Sequence, residues 1–253
     1  MKTVVIIPSR YGSTRFEGKP LHPINEKPMI QHVYERSRKA SKVDDVLVAT
    51  DDQRIVDAVR AFGGQAVMTS DKNRSGTDRI AEAAEIIGLE PDDIVINVQG
   101  DQPLMDPRCL DQMVAPFYDE QGLEMSTLAF KIVREVEITD PKDVKVTFDN
   151  RGYALYFSRA SIPLARDPGT RHATFKHLGF YAYTRRFLEI YKELDEGPLE
   201  AVEKLEQLRV LEHGYRIKVV VTPYDSPEVD LPEDIPRIEK LMYRGLDAGS
   251  SPA

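Results

Sequence analysis

Three short apolar runs set the frame of the first hundred residues: Thr3–Pro8 (TVVIIP), Val43–Thr50 and Asp93–Val98 (DIVINV). Each is rich in β-branched residues and too short for a helix, so each reads as a buried strand. Segments of helical period stand between them. From Pro28 to Lys39 the residues Met29, Ile30, Val33 and Tyr34 share one helical face, with Pro28 suited to a first turn. From Gln53 to Phe62 the face is Ile55, Val56 and Val59, and Gly63-Gly64 ends it. A short strand at Ala66–Met68 and a helix at Thr77–Ile87 complete the series. Such alternation gives parallel strands joined by right-handed crossovers, hence a three-layer α/β domain. Ligands of such sheets lie beyond the carboxyl ends of the strands, where the loops Ser9–Lys19 and Gln99–Asp101 fall.

The pattern changes near Glu124. Met125–Ile132, Val144–Phe148, Tyr153–Phe157 and Thr174–Tyr183 read as strands, with a hairpin turn at Asp149-Asn150-Arg151-Gly152. They suggest a β-rich lobe on the sheet edge, suited to a dimer surface. Helices are expected at Arg185–Glu193, Leu199–His213 and Pro232–Tyr243, and a strand at Arg216–Val221. The expected organisation is one domain over residues 1–246, in two halves, 1–124 and 125–246. Residues 247–253 read as a disordered tail.

Several function classes drop out. A net charge of −8 argues against nucleic-acid binding, which needs a broad basic face. No stretch approaches the ~20 apolar residues of a membrane span, and Pro8, Ser9 and Arg10 interrupt the only apolar run near the N-terminus. A cytoplasmic protein without membrane insertion is expected. Cys109 is the single cysteine, so no disulfide framework or thiolate cluster is available. It reads as a small buried side chain near a helix start.

The loop Pro8–Pro20 (PSRYGSTRFEGKP) gathers Arg10, Arg15 and Lys19 against one acid, Glu17. It is not a P-loop: five residues separate Gly12 from Gly18 where a P-loop has four, and Pro20 takes the place of the hydroxyl residue. Pro20 also disfavours helical geometry at Lys19. What remains is a cationic strand-end loop able to bind phosphate, two arginine forks with a lysine point charge. Asp101 stands in the loop after a strand, where a carboxylate can hold a magnesium ion between phosphates. Asp230, with Glu233 three residues on, also fits an acidic capping box before the last helix. On the strand Thr174–Tyr183, His177 and Tyr181 share a face, about 13 Å apart at Cα for a regular ~3.3 Å rise. Gly179 between them leaves room for a ligand. Glu206 and Gln207 flank the Leu205, Leu208 and Leu211 stripe and read equally well as solvated helix residues.

Ile7–Pro20 resembles the N-terminal signature of sugar nucleotidyltransferases. Further segments narrow the resemblance: Met68-Thr69 with Ser75–Arg79 (SGTDR), Asn97–Pro103 (NVQGDQP), Tyr153–Arg159 (YALYFSR), His177-Leu178-Gly179 and Leu205–Arg209 (LEQLR). In order, from residue 3 to about 244, they are similar to the CMP-Kdo synthetase (3-deoxy-manno-octulosonate cytidylyltransferase) family.

That resemblance implies a Rossmann-like nucleotidyltransferase fold with a mixed sheet and a homodimer, with a nucleotide-binding half (1–124) and a sugar-binding, dimerising half (125–246). It implies transfer of CMP from CTP to the anomeric hydroxyl of the eight-carbon sugar acid Kdo, with Mg²⁺ as cofactor and pyrophosphate released. The product would serve lipopolysaccharide biosynthesis. Arg10, Ser13, Arg15, Lys19, Arg74 and Ser75 would bind CTP. Asp101 and Asp230 would hold the metal and, with Arg10 and Lys19, form the catalytic set. Gln99, Arg159, His177, Tyr181, Glu206 and Gln207 would face the sugar. An 8-amino relative of Kdo or a sialic acid is the alternative acceptor. A glycosyltransferase is disfavoured because Asp101-Gln102-Pro103 lacks an Asp-x-Asp pair, and a degenerate binding protein because Arg10, Lys19, Asp101 and Asp230 are intact. The family commonly carries Gly-Asp-Glu-Pro at this point. Gln102 removes that acid, which leaves Kdo itself as the expected substrate.

Overall fold

The computed structural model describes residues 1–12, 16–167 and 169–243. Ser13, Arg15 and the tail 247–253 lie outside the described residues. Strand β1 (Thr3–Ser9) leads through a small hairpin, β2 (Pro23–Ile24) and β3 (Lys27–Pro28), to helix α1 (Met29–Ser37). Then follow β4 (Asp45–Thr50), α2 (Gln53–Ala61), β5 (Gln65–Met68), α3 (Gly76–Ile86), β6 (Ile94–Asn97) and α4 (Pro107–Asp119). The first half therefore follows the expected alternation, and β1 pairs in parallel with both β4 and β6. The sequence reading gave no explicit range for α4. Asp106 caps it and Cys109 lies buried in its first turn, where the thiol is pushed up to about 12 by that burial.

The second half departs from expectation. It comprises β7 (Met125–Lys131), α5 (Glu135–Thr139), β8 (Lys145–Phe148), β9 (Ala154–Ser158) and β10 (Phe175–Thr184). After these come α6 (Arg185–Glu193), α7 (Pro198–Glu203), α8 (Gln207–Glu212), β11 (Lys218–Thr222) and α9 (Ile235–Tyr243). The main sheet runs β11-β7-β10-β6-β1-β4-β5. Strands β7 and β10 are thus interior strands of one continuous sheet, and only the β8–β9 hairpin stands off it, paired to the start of β10. β10 runs antiparallel to both β6 and β7, which makes the sheet mixed.

Alternation within β1 divides the core. Val4 and Ile6 pack with Ile80 and Ala84 of α3 and Phe187 of α6, whereas Val5 and Ile7 pack with α1, α2 and α4. A third, smaller cluster joins Phe16, Ile24, Leu104, Val229, Ile235 and Ile238. It lies under the loops rather than under the sheet, and it ties the first loop, the segment after Asp101 and the segment before Asp230 to α9.

Candidate active site

The carboxyl end of β6 opens onto a recess of about 750 Å³. Gln99, Asp101, Arg159, His177, Tyr181, Glu206, Gln207 and Asp230, drawn from opposite ends of the chain, all line it. Arg10, Lys19, Arg74 and Ser75 are not among the lining residues; Arg10 Nη2 donates to the Asn73 carbonyl at 2.9 Å and so joins the first loop to the loop carrying exposed Arg74 and half-buried Ser75.

Lys19 Nζ donates to Asp101 Oδ2 at 2.7 Å and to the Val229 carbonyl at 3.0 Å. The Val229 N–H in turn donates to the Asp101 carbonyl at 3.0 Å. One ammonium therefore bridges the loops that carry Asp101 and Asp230. Lys19 does begin a helical turn, contrary to expectation, but it is a single 3₁₀ turn, Lys19–Leu21, entered through Gly18 at φ 67°. The left-handed conformation suits glycine, and the Gly18 N–H closes the loop on the Tyr11 carbonyl at 2.9 Å.

The capping role considered for Asp230 belongs to Asp234. Its Oδ2 accepts from the backbone N–H of Asp230 at 2.9 Å and of Leu231 at 3.0 Å. A third acid joins the pair. Glu228 Oε1 accepts from Gln102 Nε2 at 3.0 Å, and enclosure by the walls, then the charges of Asp101 and Asp230, push its carboxyl up to about 7. Its accessible surface is that of an exposed residue, because that surface opens into the recess. The sequence reading missed Glu228. The available signal was the Glu228-x-Asp230 spacing, which in an extended segment puts both carboxylates on one side. Two aspartates beside a single lysine, with a further acid at the margin, suit a divalent cation that completes its shell from substrate oxygens and water. Among the described residues no three such side chains converge on a cage of their own.

The opposite wall is made by β10. His177 pairs with Ala129 and Tyr181 with Thr127, so β7 advances two residues while β10 advances four. The extra residues bulge around Gly179, at φ 72°. This contracts the expected 13 Å span to roughly two strand residues, about 7 Å, and the His177 and Tyr181 rings lie 5.2 Å apart. Thr127 Oγ1 donates its one proton to the Phe180 carbonyl, so the 2.8 Å contact with His177 must be donated by Nε2–H. Nδ1 is left as an acceptor. Burial holds His177 neutral, with its pKa lowered to about 3.

Helix 199–213 was expected to be continuous, but Lys204 at φ 54° separates α7 from α8. Side chains pay roughly 1–2 kcal/mol for that conformation, and no Gly or Pro announced it. The break turns the next residues inward. Gln207 is 4% exposed, not solvated; its Oε1 accepts from the Tyr181 hydroxyl at 3.0 Å, and its Nε2 is buried with no partner among the described residues. Glu206 Oε2 accepts from Thr77 Oγ1 at 3.2 Å, and enclosure raises its pKa. Gln99 Nε2 donates to Asn97 Oδ1 at 3.3 Å. Arg159 is held by its Nε on the Glu203 carbonyl at 2.8 Å and by Nη1 on the Pro141 carbonyl at 3.0 Å. Ser75 Oγ accepts from the Asp78 N–H at 3.0 Å as the cap of α3, and Gly76 and Thr77 bring that helix start, with its partial positive charge, to the recess.

A mixed α/β sheet with acids and a lysine gathered at its carboxyl edge is suited to binding nucleotide phosphates together with a divalent cation. The chain belongs to the cytidylyltransferase family, whose model matches residues 4–217. It is 63% identical over 242 residues, 96% of this chain and 98% of the relative, to a protein of Desulfosudis oleivorans named 3-deoxy-manno-octulosonate cytidylyltransferase. It is 57% identical over 243 residues, 96% of this chain and 99% of the relative, to an 8-amino-3,8-dideoxy-manno-octulosonate cytidylyltransferase of Shewanella amazonensis. A solved structure of CMP:2-keto-3-deoxy-manno-octonic acid synthetase complexed with CTP superposes with a TM-score of 0.91 at 43% identity, covering 97% of this chain and 100% of the other. The family and the mixed-sheet α/β fold read from the sequence are thus established. No helix among the described residues is long and apolar enough to cross a membrane.

Proposed function

We propose that the protein transfers CMP from CTP to the anomeric hydroxyl of Kdo, releasing pyrophosphate and giving CMP-Kdo for lipopolysaccharide assembly. The observation that supports this best is the two-walled recess. One wall carries Asp101 and Asp230, with Lys19 hydrogen-bonded to Asp101, for a triphosphate, and the other carries His177, Tyr181 and Gln207 for a hydroxyl-rich acid. The sugar hydroxyl attacks the α-phosphorus directly, and pyrophosphate leaves. Cys109 plays no covalent part, being buried in α4 away from the recess. Catalysis is then positioning and charge neutralisation. Arg10 and Lys19 meet the phosphates, joined by Ser13, Arg15, Arg74 and Ser75 in holding the nucleotide. Magnesium, held by Asp101 and Asp230, would supply charge neutralisation at the transferring phosphoryl group. Gln207 Nε2 offers a buried donor to a sugar oxygen, His177 Nδ1 offers an acceptor, and Arg159, Gln99 and Glu206 complete the sugar wall. Pyrophosphate release across CTP, ATP, GTP and UTP with a panel of sugar acids tests the reading. Release that requires CTP, a 2-keto-3-deoxy sugar acid and Mg²⁺ together supports it; equal turnover with ATP or GTP, or with a sugar 1-phosphate, refutes it.

The 8-amino sugar is the second reading, favoured by one observation: the acid absent at Gln102 is present at Glu228, so the pocket keeps a carboxylate able to meet an ammonium. A competition assay at equal concentrations of the two sugars decides through the ratio of kcat/KM values. Kdo is expected to win, and a tenfold preference for the amino sugar, about 1.4 kcal/mol, reverses the assignment. The working form is proposed to be a cytoplasmic homodimer, supported by exposed Leu155, Leu164, Val136 and Val202 around the β9–α7 region. Light scattering on wild type and Val202→Glu tests it, a monomeric wild type being the refuting result.

A further inference from the structure

Gln102 is fully buried, yet every hydrogen-bonding group of its amide is used. Nε2 donates to the Leu178 carbonyl at 2.9 Å and to Glu228 Oε1 at 3.0 Å, while Oε1 accepts from Ser226 Oγ at 2.8 Å. Two acceptors at one end and a donor at the other fix the amide orientation. Gln102 thus clamps three segments: the loop of Asp101, the β10 bulge before Gly179, and the strand-end segment leading to Asp230. A Cβ at Gly179 would stand 3.7 Å from Gln102 Nε2 and 3.9 Å from Glu228 Oε1, so the bulge lies directly against the pair.

A carboxylate at position 102 could make none of the donations. It would strand the Leu178 carbonyl and stand about 3 Å from the Glu228 carboxylate, a repulsive pair. The amide and the acid therefore need each other. We infer that Gln102 and Glu228 act as one unit, in which Gln102 positions Glu228 so that the metal site carries a single additional negative charge from position 228. The count of that charge, rather than which of the two positions carries it, then tunes the affinity of the Asp101–Asp230 site for a divalent cation. This rests on the function proposed above, but its test does not require the sugar to be known.

The test is a four-member cycle: wild type, Gln102→Glu (two acids), Glu228→Gln (none) and the exchanged double variant Gln102→Glu/Glu228→Gln (one). Mn²⁺ affinity of the protein without nucleotide, read by EPR, is expected to rank Gln102→Glu above wild type and Glu228→Gln below it, by threefold or more each way. The exchanged variant should fall within threefold of wild type. In turnover, Gln102→Glu should lose tenfold or more in kcat, and the exchange should recover most of that loss. A purely structural clamp would lower Tm in every variant without ordering the Mn²⁺ affinities. Affinities that do not follow the number of acids, undetectable binding included, overturn the inference, as does an exchange no better than Gln102→Glu alone. Wild type that transfers CMP to no sugar acid would overturn the proposed function and leave the Mn²⁺ ranking to stand by itself.

Discussion

Lys19 reaches from the first loop to Asp101 at 2.7 Å and so joins the cationic loop to the acidic edge of the recess. Its ammonium also holds the Val229 carbonyl, so it serves the geometry of the acids as well as the charge of the nucleotide. Lys19→Met should lower kcat/KM for CTP about 10²–10³-fold, the usual scale for losing one preorganised charge at the transition state. KM for the sugar should stay within threefold. Separate substrate titrations of the mutant check this, and a selective loss of sugar binding would reverse the assignment of the two walls.

Asp230 and Asp234 divide two roles that the sequence left open in one residue. Asp230→Asn should lower kcat by 10² or more with Tm nearly unchanged. Asp234→Ala removes the acceptor for two backbone N–H groups and should cost about 1 kcal/mol, a fall of about 2–4 °C in Tm for a chain of this size. Calorimetry beside a pyrophosphate assay separates them. An active but thermolabile Asp230→Asn would return the cap to Asp230.

Tyr181 and Gln207 predict a KM effect confined to the sugar. Tyr181→Phe loses one hydrogen bond and frees the Gln207 side chain, while Gln207→Leu removes the buried donor itself. Each should raise KM for the sugar about tenfold, in line with about 1–1.5 kcal/mol for a neutral hydrogen bond, and leave KM for CTP within twofold. Equal changes in both KM values would show that α8 supports the whole site instead.

His177 makes stability depend on acidity. Its folded pKa of about 3 lies below the unfolded value of 6.5, so between these values the unfolded chain binds the extra proton. The stabilisation is complete above about pH 6.5 and is lost as pH falls towards 3. Tm of wild type should therefore drop more steeply than that of His177→Asn across this window. Parallel slopes would mean that His177 is protonated in the fold.

The strands and helices of the first half were legible because each carries its own periodicity and stop signal, as with Gly63-Gly64 after α2. The second half misled for two physical reasons. The β10 bulge leaves the alternation of buried and half-buried residues intact, so nothing in the pattern betrays the two added residues. The break at Lys204 uses a residue with no preference for the left-handed region, and tertiary contacts decide it. Of the site, the side chains with a motif were visible. Glu228 was signalled only by its spacing from Asp230, while Thr127 acts through His177, fifty positions away, a pairing that no local pattern encodes.

The small cluster beneath the loops gives helix α9 a part in the chemistry beyond the Arg237 side chain that it lends to the recess. Phe16, Leu104 and Val229 belong to the cationic loop and to the neighbourhoods of Asp101 and Asp230, and they meet Ile235 and Ile238 of α9 in one apolar knot separate from both sheet cores. The sheet can therefore stay folded while this knot loosens, since neither main core includes it. Damage at Ile238 would present in an assay as an active-site lesion: a folded protein whose loops bearing Lys19, Asp101 and Asp230 no longer hold a common register.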